Sequence, residues 1–259
     1  MKRKISVVKI GGNIINDEQL LDSFLTNFSK IKNDKILIHG GGKIATQLSK
    51  RLGVETKMIE GRRVTSQDDL DNIVMVYAGL INKKIISKLQ KMNCNAIGLT
   101  GADANSISAV KRSENPINYG WVGDVVSVNS DAINMFLKNG ITPVFCAVSH
   151  DGMGQLLNTN ADSIASEVAI KMSNDYETEL IYCFEKKGVL LNVEDENSVI
   201  ENINTSNYLK LKEEKIIENG MIPKLDNCFY ALNNKVSKVI VGSIDSINKK
   251  CEMCTTLNL

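Results

Sequence analysis

Val7-Val8-Lys9-Ile10-Gly11-Gly12 runs a short apolar stretch straight into paired glycines, and Ile36-Leu37-Ile38-His39-Gly40-Gly41-Gly42-Lys43 repeats the device. Both runs are nearly continuous in Val, Ile and Leu, as strands buried on both faces require. Each glycine turn therefore falls at the carboxyl end of a strand. In an open α/β sheet that edge binds ligands, because its loops expose backbone N–H groups and the following helices present positive N-terminal ends. Glycine suits such a turn because a Cβ would hold a phosphate or carboxylate away from the backbone. Together the two turns make one anion-binding crevice, although each alone is equally a tight strand-to-helix connection.

The same pattern extends along the chain. Beside Ile5–Ile10 and Lys35–His39, strands are expected at Ala96–Leu99, Thr142–Val148, Glu179–Phe184 and Val236–Val241. Segments of helical period lie between them, so the class is α/β, with a mainly parallel sheet covered by helices on both faces. Asn16-Asp17-Glu18-Gln19 reads as a capping box ahead of an apolar stripe, Leu20, Leu21, Phe24, Leu25, Phe28 and Ile31. A second helix carries Ile44, Leu48 and Leu52 and stops at Gly53. Ser66 caps a long helix from Leu70 to Leu89 whose surplus apolar residues face either the core or a partner subunit. Residues 118–128, with the single Trp121, read as a hairpin or loop able to lie over a site. No repeat or Pro-rich linker divides the chain, and the boundary between two lobes is placed near residue 172.

Composition bounds the function. The 259 residues are 43% hydrophobic and carry a formal net charge of only +1, so a substantial core is expected and global attraction to nucleic acid or an anionic membrane is not. Lys9 interrupts the first apolar run, which is too short for a signal segment or a membrane span, and a cytoplasmic location is expected. The six cysteines are too sparse for a disulfide scaffold, and the lone Cys251-Glu252-Met253-Cys254 lacks the further ligands that zinc requires. No metal-binding residues are assigned.

Common nucleotide motifs are absent. Ile44 stands where a Walker A loop needs Ser or Thr, Leu37 stands where it needs Gly, and no GxGxxG follows the first strand. Lys9, in a strand otherwise of Val and Ile, is either a ligand for an anion or an edge-strand lysine facing solvent. In Asn158-Thr159-Asn160-Ala161-Asp162, Asn160 is the natural N-cap of a helix. Asp162 either complements the helix dipole or positions a polar ligand and its lysines. Gly61-Arg62-Arg63-Val64-Thr65 and Gly220-Met221-Ile222-Pro223-Lys224 add a guanidinium that can grip a carboxylate and an ammonium that can meet a phosphoryl group, or else ordinary surface charge.

In order and spacing these segments resemble the acetylglutamate kinases of the amino-acid-kinase family: K-x-G-G, H-G-G-G, G-x-R-V-T, L-x-N-x-N-A-D and G-M-I-x-K, from Lys9 to Lys224. The resemblance implies a three-layer αβα sandwich around an open, mainly parallel eight-stranded sheet. Residues 1–172 would form a lobe for acylglutamate and dimerisation, and residues 173–259 a lobe for ATP. It implies ATP and Mg²⁺ as cofactors, N-acylglutamate as the acceptor, and a homodimer. Lys9 and Lys224 would stabilise the transferring phosphoryl group, with Asp162 holding both. Gly11, Gly12, Gly41 and Gly42 would bind phosphate and γ-carboxylate oxygens, and Arg63, Asn158 and Asn160 would hold the rest of the acceptor. His39 would be structural.

The pattern departs from the family at Phe184-Glu185-Lys186-Lys187-Gly188, where the family usually carries a Ser/Thr-Asp-Val-x-Gly stretch. By the resemblance Glu185 would stand for the usual Asp, and Gly188 for the last glycine, in contacts with ATP. Lys186 and Lys187 either meet ATP phosphates or decorate a solvated loop. A start almost at the first strand implies a plain dimer without arginine feedback. Arg62, Lys111 and Arg112 raise succinyl as an alternative to the acetyl group. A catalytically silent nucleotide-binding sensor of the same fold is the alternative of another class.

Overall fold

The computed structural model describes residues 2–59, 62–217, 221–247 and 253–259. Gly61, Gly220 and Cys251, which the sequence motifs include, lie outside them. The chain opens with β1 (Arg3–Ile10), α1 (Gly12–Asn16), α2 (Glu18–Ser29), β2 (Asp34–His39) and α3 (Gly42–Arg51). A short hairpin, β3 (Lys57–Ile59) and β4 (Arg62–Val64), leads into α4 (Gln67–Val74), which continues through a π-helical segment, Met75–Ile81, into α5 (Asn82–Lys91). Then come β5 (Ala96–Leu99), β6 (Ile107–Lys111), β7 (Val122–Val128), α6 (Ser130–Lys138), β8 (Thr142–Cys146), β9 (Val148–His150), β10 (Leu156–Thr159) and α7 (Ala161–Met172). The last part holds β11 (Tyr176–Cys183), β12 (Asn202–Ile203), α8 (Thr205–Glu213), α9 (Met221–Asn233), β13 (Lys238–Gly242) and β14 (Thr255–Leu257).

Eight strands form one sheet in the order β12-β14-β13-β11-β1-β2-β8-β5, parallel throughout except between β13 and β14. The helices pack as two groups, α1 to α5 on one side and α6, α7 and α9 on the other, which makes the expected three-layer α/β architecture. β1 lies inside the sheet, paired with β11 along Arg3–Ile10 and with β2 from Ile5 to Ile10. Lys9 is therefore not an edge lysine. The β1–β11 pairing also joins the two halves of the chain in one sheet, and α7 ends at Met172.

Several local expectations change in tertiary context. The cap of α2 is Asp17, whose carboxylate accepts from the N–H groups of Gln19 and Leu20 at 2.9 Å, while Asn16 ends α1. The run Thr142–Val148 divides at Ala147: β8 stays in the large sheet, and β9 turns into a small closed barrel with β6, β7 and β10. Apolar runs alone do not show where a strand leaves one sheet for another. The long helix expected after Ser66 is present, and Ser66 caps it by accepting from Asp69 N–H at 3.1 Å, but its middle is π-helical. Trp121 sits in the loop between β6 and β7, an antiparallel pair longer than residues 118–128 suggested.

That loop is pinned to the strand bearing Arg63. Trp121 N–H donates to Thr65 carbonyl at 2.8 Å, and Thr65 N–H donates to Tyr119 carbonyl at 2.9 Å. Gly120 between them has φ +70°, and a Cβ there would fall 2.2 Å from the Thr65 carbonyl oxygen. Gly120→Ala should therefore destabilise the protein by about 1–3 kcal/mol, the usual range for overpacking, read as a lower urea midpoint at unchanged m value.

Candidate active site

β1 and β11 place Lys9 and Tyr182 side by side in register at the carboxyl edge of the sheet. Asn160 caps α7 by accepting from the N–H groups of Asp162 and Ser163 at 2.7 and 3.2 Å, which sets the Asp162 side chain over that edge. Lys224, in the first turn of α9, reaches the same place from the other end of the chain. Its ammonium lies 3.3 Å from one Asp162 oxygen, and that of Lys9 lies 2.7 Å from the other. Lys224 also stands over the Tyr182 ring, 5.5 Å from its centroid, while Tyr182 hydroxyl donates to the Asp162 carbonyl at 3.1 Å. Asp162 thus does more than complement a helix dipole.

The electrostatics follow from burial and pairing. Burial pushes the Asp162 carboxyl up, but the Lys9 and Lys224 charges and hydrogen bonds outweigh it and hold the group at about 2. Burial pushes the Lys9 ammonium down from its ordinary value; Asp162 opposes that shift and Lys224 adds to it. The result is two ammonium groups fixed around one carboxylate, with a net positive charge, at the sheet edge.

The glycine turns flank this cluster. Gly11 donates its N–H to the Cys183 carbonyl at 2.8 Å, locking the first turn to β11. A Cβ at Gly12 would meet nothing within 4 Å, so among the described residues packing does not demand glycine there. At Gly41 packing does, since a Cβ would come within 2.3 Å of Ile81 and 3.0 Å of Tyr77, both from the π-helical segment. Gly42 begins α3. His39, fully buried, has Nδ1 2.8 Å from the Gly40 carbonyl and Nε2 3.1 Å from the Asn82 amide. Burial and the nearby Lys83 charge, opposed by the Gly40 carbonyl, bring it down to about 4, so it is a neutral brace under the turn.

Arg63 is buried behind the second turn. It donates to Thr56 Oγ1 at 2.9 Å, Asp69 Oδ1 at 3.3 Å, Gly42 carbonyl at 3.1 Å and Thr46 Oγ1 at 2.6 Å. Asp69, Thr46 and Thr56 were not expected from the sequence. Asp69 three residues after Ser66 reads only as part of a helix cap, and its pairing with Arg63 is visible only in three dimensions. Asn158 joins the same wall by donating to Thr65 Oγ1 at 3.0 Å.

The atypical segment behaves differently. Lys186 pairs with Glu196 at 3.1 Å and Lys187 donates to Asn197 at 3.0 Å, so both are directed to a neighbouring exposed loop. Gly188 is required by packing, because a Cβ would fall 2.7 Å from both Thr255 Oγ1 and a Val199 methyl. Glu185 is exposed. Lys111 and Arg112 are likewise committed, to Glu114 at 2.8 Å and to Asp124 at 2.5 to 3.1 Å. Among the described residues no cluster of three or more His, Cys, Asp or Glu is placed to hold a metal ion, and no helix is long and apolar enough to cross a membrane.

Known proteins resemble the whole chain. A sequence model described as the amino acid kinase family matches residues 4–243. An acetylglutamate kinase of Cytophaga hutchinsonii is 51% identical, covering 95% of this chain and 93% of that protein. One of Bacteroides fragilis is 44% identical, covering 96% and 95%. Among solved structures, smu.665 from Streptococcus mutans UA159 superposes with a TM-score of 0.82 at 28% identity over 98% of both chains. Carbamate kinase from Giardia lamblia bound to AMP-PNP, at 13% identity, shares the fold with a TM-score of 0.70, covering 99% and 98%.

The ion cluster predicts a pH signature. Asp162 is held below its ordinary 3.8, so its stabilising contribution is fully present above that value and is lost as pH falls toward about 2. In urea titrations Asp162→Asn should be less stable than wild type at pH 7, with the gap closing between those two pH values. A gap independent of pH would mean that the carboxylate charge does not stabilise the cluster.

Proposed function

Because the chain belongs to the amino acid kinase family, and within it to the acetylglutamate kinases, we propose that it transfers the terminal phosphoryl group of ATP to the side-chain carboxylate of N-acetyl-L-glutamate. The carrying observation is the Lys9–Asp162–Lys224 cluster between two glycine turns at one sheet edge. This is an early step of arginine biosynthesis, and the chain is a phosphotransferase with a carboxyl group as acceptor. One lobe, up to residue 172, would take the acceptor, and the remainder the nucleotide.

The chemistry asks little of acids and bases. The acceptor carboxylate is already ionised at neutral pH. Its oxygen attacks the γ-phosphorus, the bond to the bridging oxygen breaks, and ADP leaves with that electron pair, so no proton need move. What must be overcome is the approach of two anions, and in-line alignment with fixed positive groups does this. Lys9 and Lys224 would meet the equatorial oxygens as charge spreads over them, with Asp162 keeping both in place. Gly12 would offer its N–H to the phosphate, with Gly11 letting the backbone approach while its own N–H stays on the Cys183 carbonyl, and Gly41 and Gly42 would offer theirs to the acceptor carboxylate. Magnesium would arrive on the nucleotide's phosphates, because both Asp162 oxygens already face ammonium groups.

Arg63, with Asn158 and Asn160, would hold the α-carboxylate and acylamino group. Four of the five Arg63 N–H donors serve the protein, so substrate contact would use the remaining Nε–H or displace the Thr46 hydroxyl, which keeps its own 2.9 Å bond to the Gly42 carbonyl. Glu185, Lys186 and Gly188 belong to the nucleotide side of this proposal, although Lys186 would first have to leave Glu196. The commitment of Lys111 and Arg112 to carboxylates favours an acetyl over a succinyl group. Exposed Met75 and Leu80 on the long helix suit a homodimer.

ADP release measured with acetylglutamate, succinylglutamate, carbamate, UMP, aspartate and glutamate tests the assignment; turnover should be greatest with acetylglutamate. ATP binding without turnover on any of them would point instead to a silent sensor. Lys9→Ala and Lys224→Ala should each lower kcat by about a hundredfold or more with a smaller effect on KM, as removal of a transition-state contact does. Arg63→Ala should instead act mainly on KM for the acceptor, a contact made in ground and transition states alike.

A further inference from the structure

Lys43 remains unused by the mechanism. It follows Gly42 in the first turn of α3, on the turn proposed for the acceptor, yet its ammonium reaches across to the other turn. There it donates to Asn13 Oδ1 at 2.5 Å, one residue beyond Gly12. The Lys43–Asn13 bond therefore links the acceptor turn to the phosphate turn. Among the described residues Asn13 is its one polar partner; no carboxylate neutralises it.

The charge inventory gives this contact meaning. Lys9 and Lys224 share Asp162, so the cluster carries one net positive charge, and Arg63 is balanced by Asp69. Against this stand the acceptor carboxylate and the polyphosphate of ATP. An ammonium with only an amide partner keeps its full charge and exchanges that partner for a phosphate oxygen at little cost, since a charge-assisted bond replaces a neutral one. An amide positions a lysine without quenching it.

We propose that Lys43 is a further phosphate-binding residue, whose ammonium, held by Asn13 at the phosphate turn, contacts the terminal phosphates of ATP. Asn13 is its positioning residue. The proposal rests on reading the crevice as that of an ATP-dependent carboxyl kinase, but binding alone tests it, so the two can fail separately. Calorimetric titration of wild type, Lys43→Gln, Lys43→Arg and Asn13→Ala with ATP and with AMP, each with magnesium, is the primary experiment. Lys43→Gln should weaken ATP binding by about tenfold or more, the effect expected for losing a bond to a charged group, and leave AMP unchanged within about twofold. Lys43→Arg should restore most of the loss. Asn13→Ala should show a smaller effect of the same sign that vanishes when Lys43 is already Gln. Steady-state kinetics should show the same split, with KM rising for ATP and not for the acceptor.

Unchanged ATP affinity in Lys43→Gln would overturn the proposal. So would equal weakening of ATP and AMP, which places the effect away from the terminal phosphates, or a KM change confined to the acceptor. The side chain is exposed, and matched thermal melts confirm that the variants compared are folded.

Discussion

A single carboxylate shared by two lysines governs the arrangement of this protein. Lys9 stands in a strand inside the sheet and Lys224 on a helix near the other end of the chain, and both converge on Asp162. Partly buried ammonium groups repel each other and lose solvation, and the carboxylate between them offsets both costs. Charged clusters of this kind stabilise weakly in net terms, because desolvation consumes much of the attraction. The cluster makes better sense as a prepared electrostatic environment, assembled by folding and waiting for an anion to replace lost water.

The scaffold around it is rigid for identifiable reasons. Gly11 is tied to β11 by a backbone bond, and the second turn rests on Tyr77 and Ile81 below Gly41. π-Helical segments are uncommon and occur often at functional sites; here the segment supplies the side chains that close against the turn. Behind it, Arg63 ties Gly42 to Thr46, Thr56 and Asp69, so turn, guanidinium and helix cap form one hydrogen-bonded unit. Neutral His39 completes the support without adding charge.

The segment from β6 to β10 shows how the crevice acquires a wall. The small barrel hangs from the large sheet where β8 gives way to β9, and its loop returns to Thr65 through Tyr119 and Trp121. Asn158 donates to the same Thr65, so motifs far apart in the chain meet at one residue. Charges in the β6–β7 region are spent on each other, Arg112 with Asp124 and Lys111 with Glu114, which leaves the wall ordered and nearly neutral.

Apart from the grouping of Lys9, Asp162 and Lys224, which only the family resemblance supplied, the sequence by itself determined the α/β class, the central strands, the glycine turns at their carboxyl ends, and the Asn160 and Ser66 caps. Each of these is written locally, in apolar runs, in a polar residue before a helix, or in glycine where a side chain is unwelcome. Only the tertiary structure decided that Lys9 is interior, that Asp69 balances Arg63, that Asp17 replaces Asn16 as a cap, that Lys186 and Lys187 turn to a neighbouring loop, and that Lys43 crosses to Asn13. Those outcomes depend on which strand neighbours which and on where long side chains find opposite charge. A linear pattern specifies the capacity to pair, and the folded chain supplies the partner.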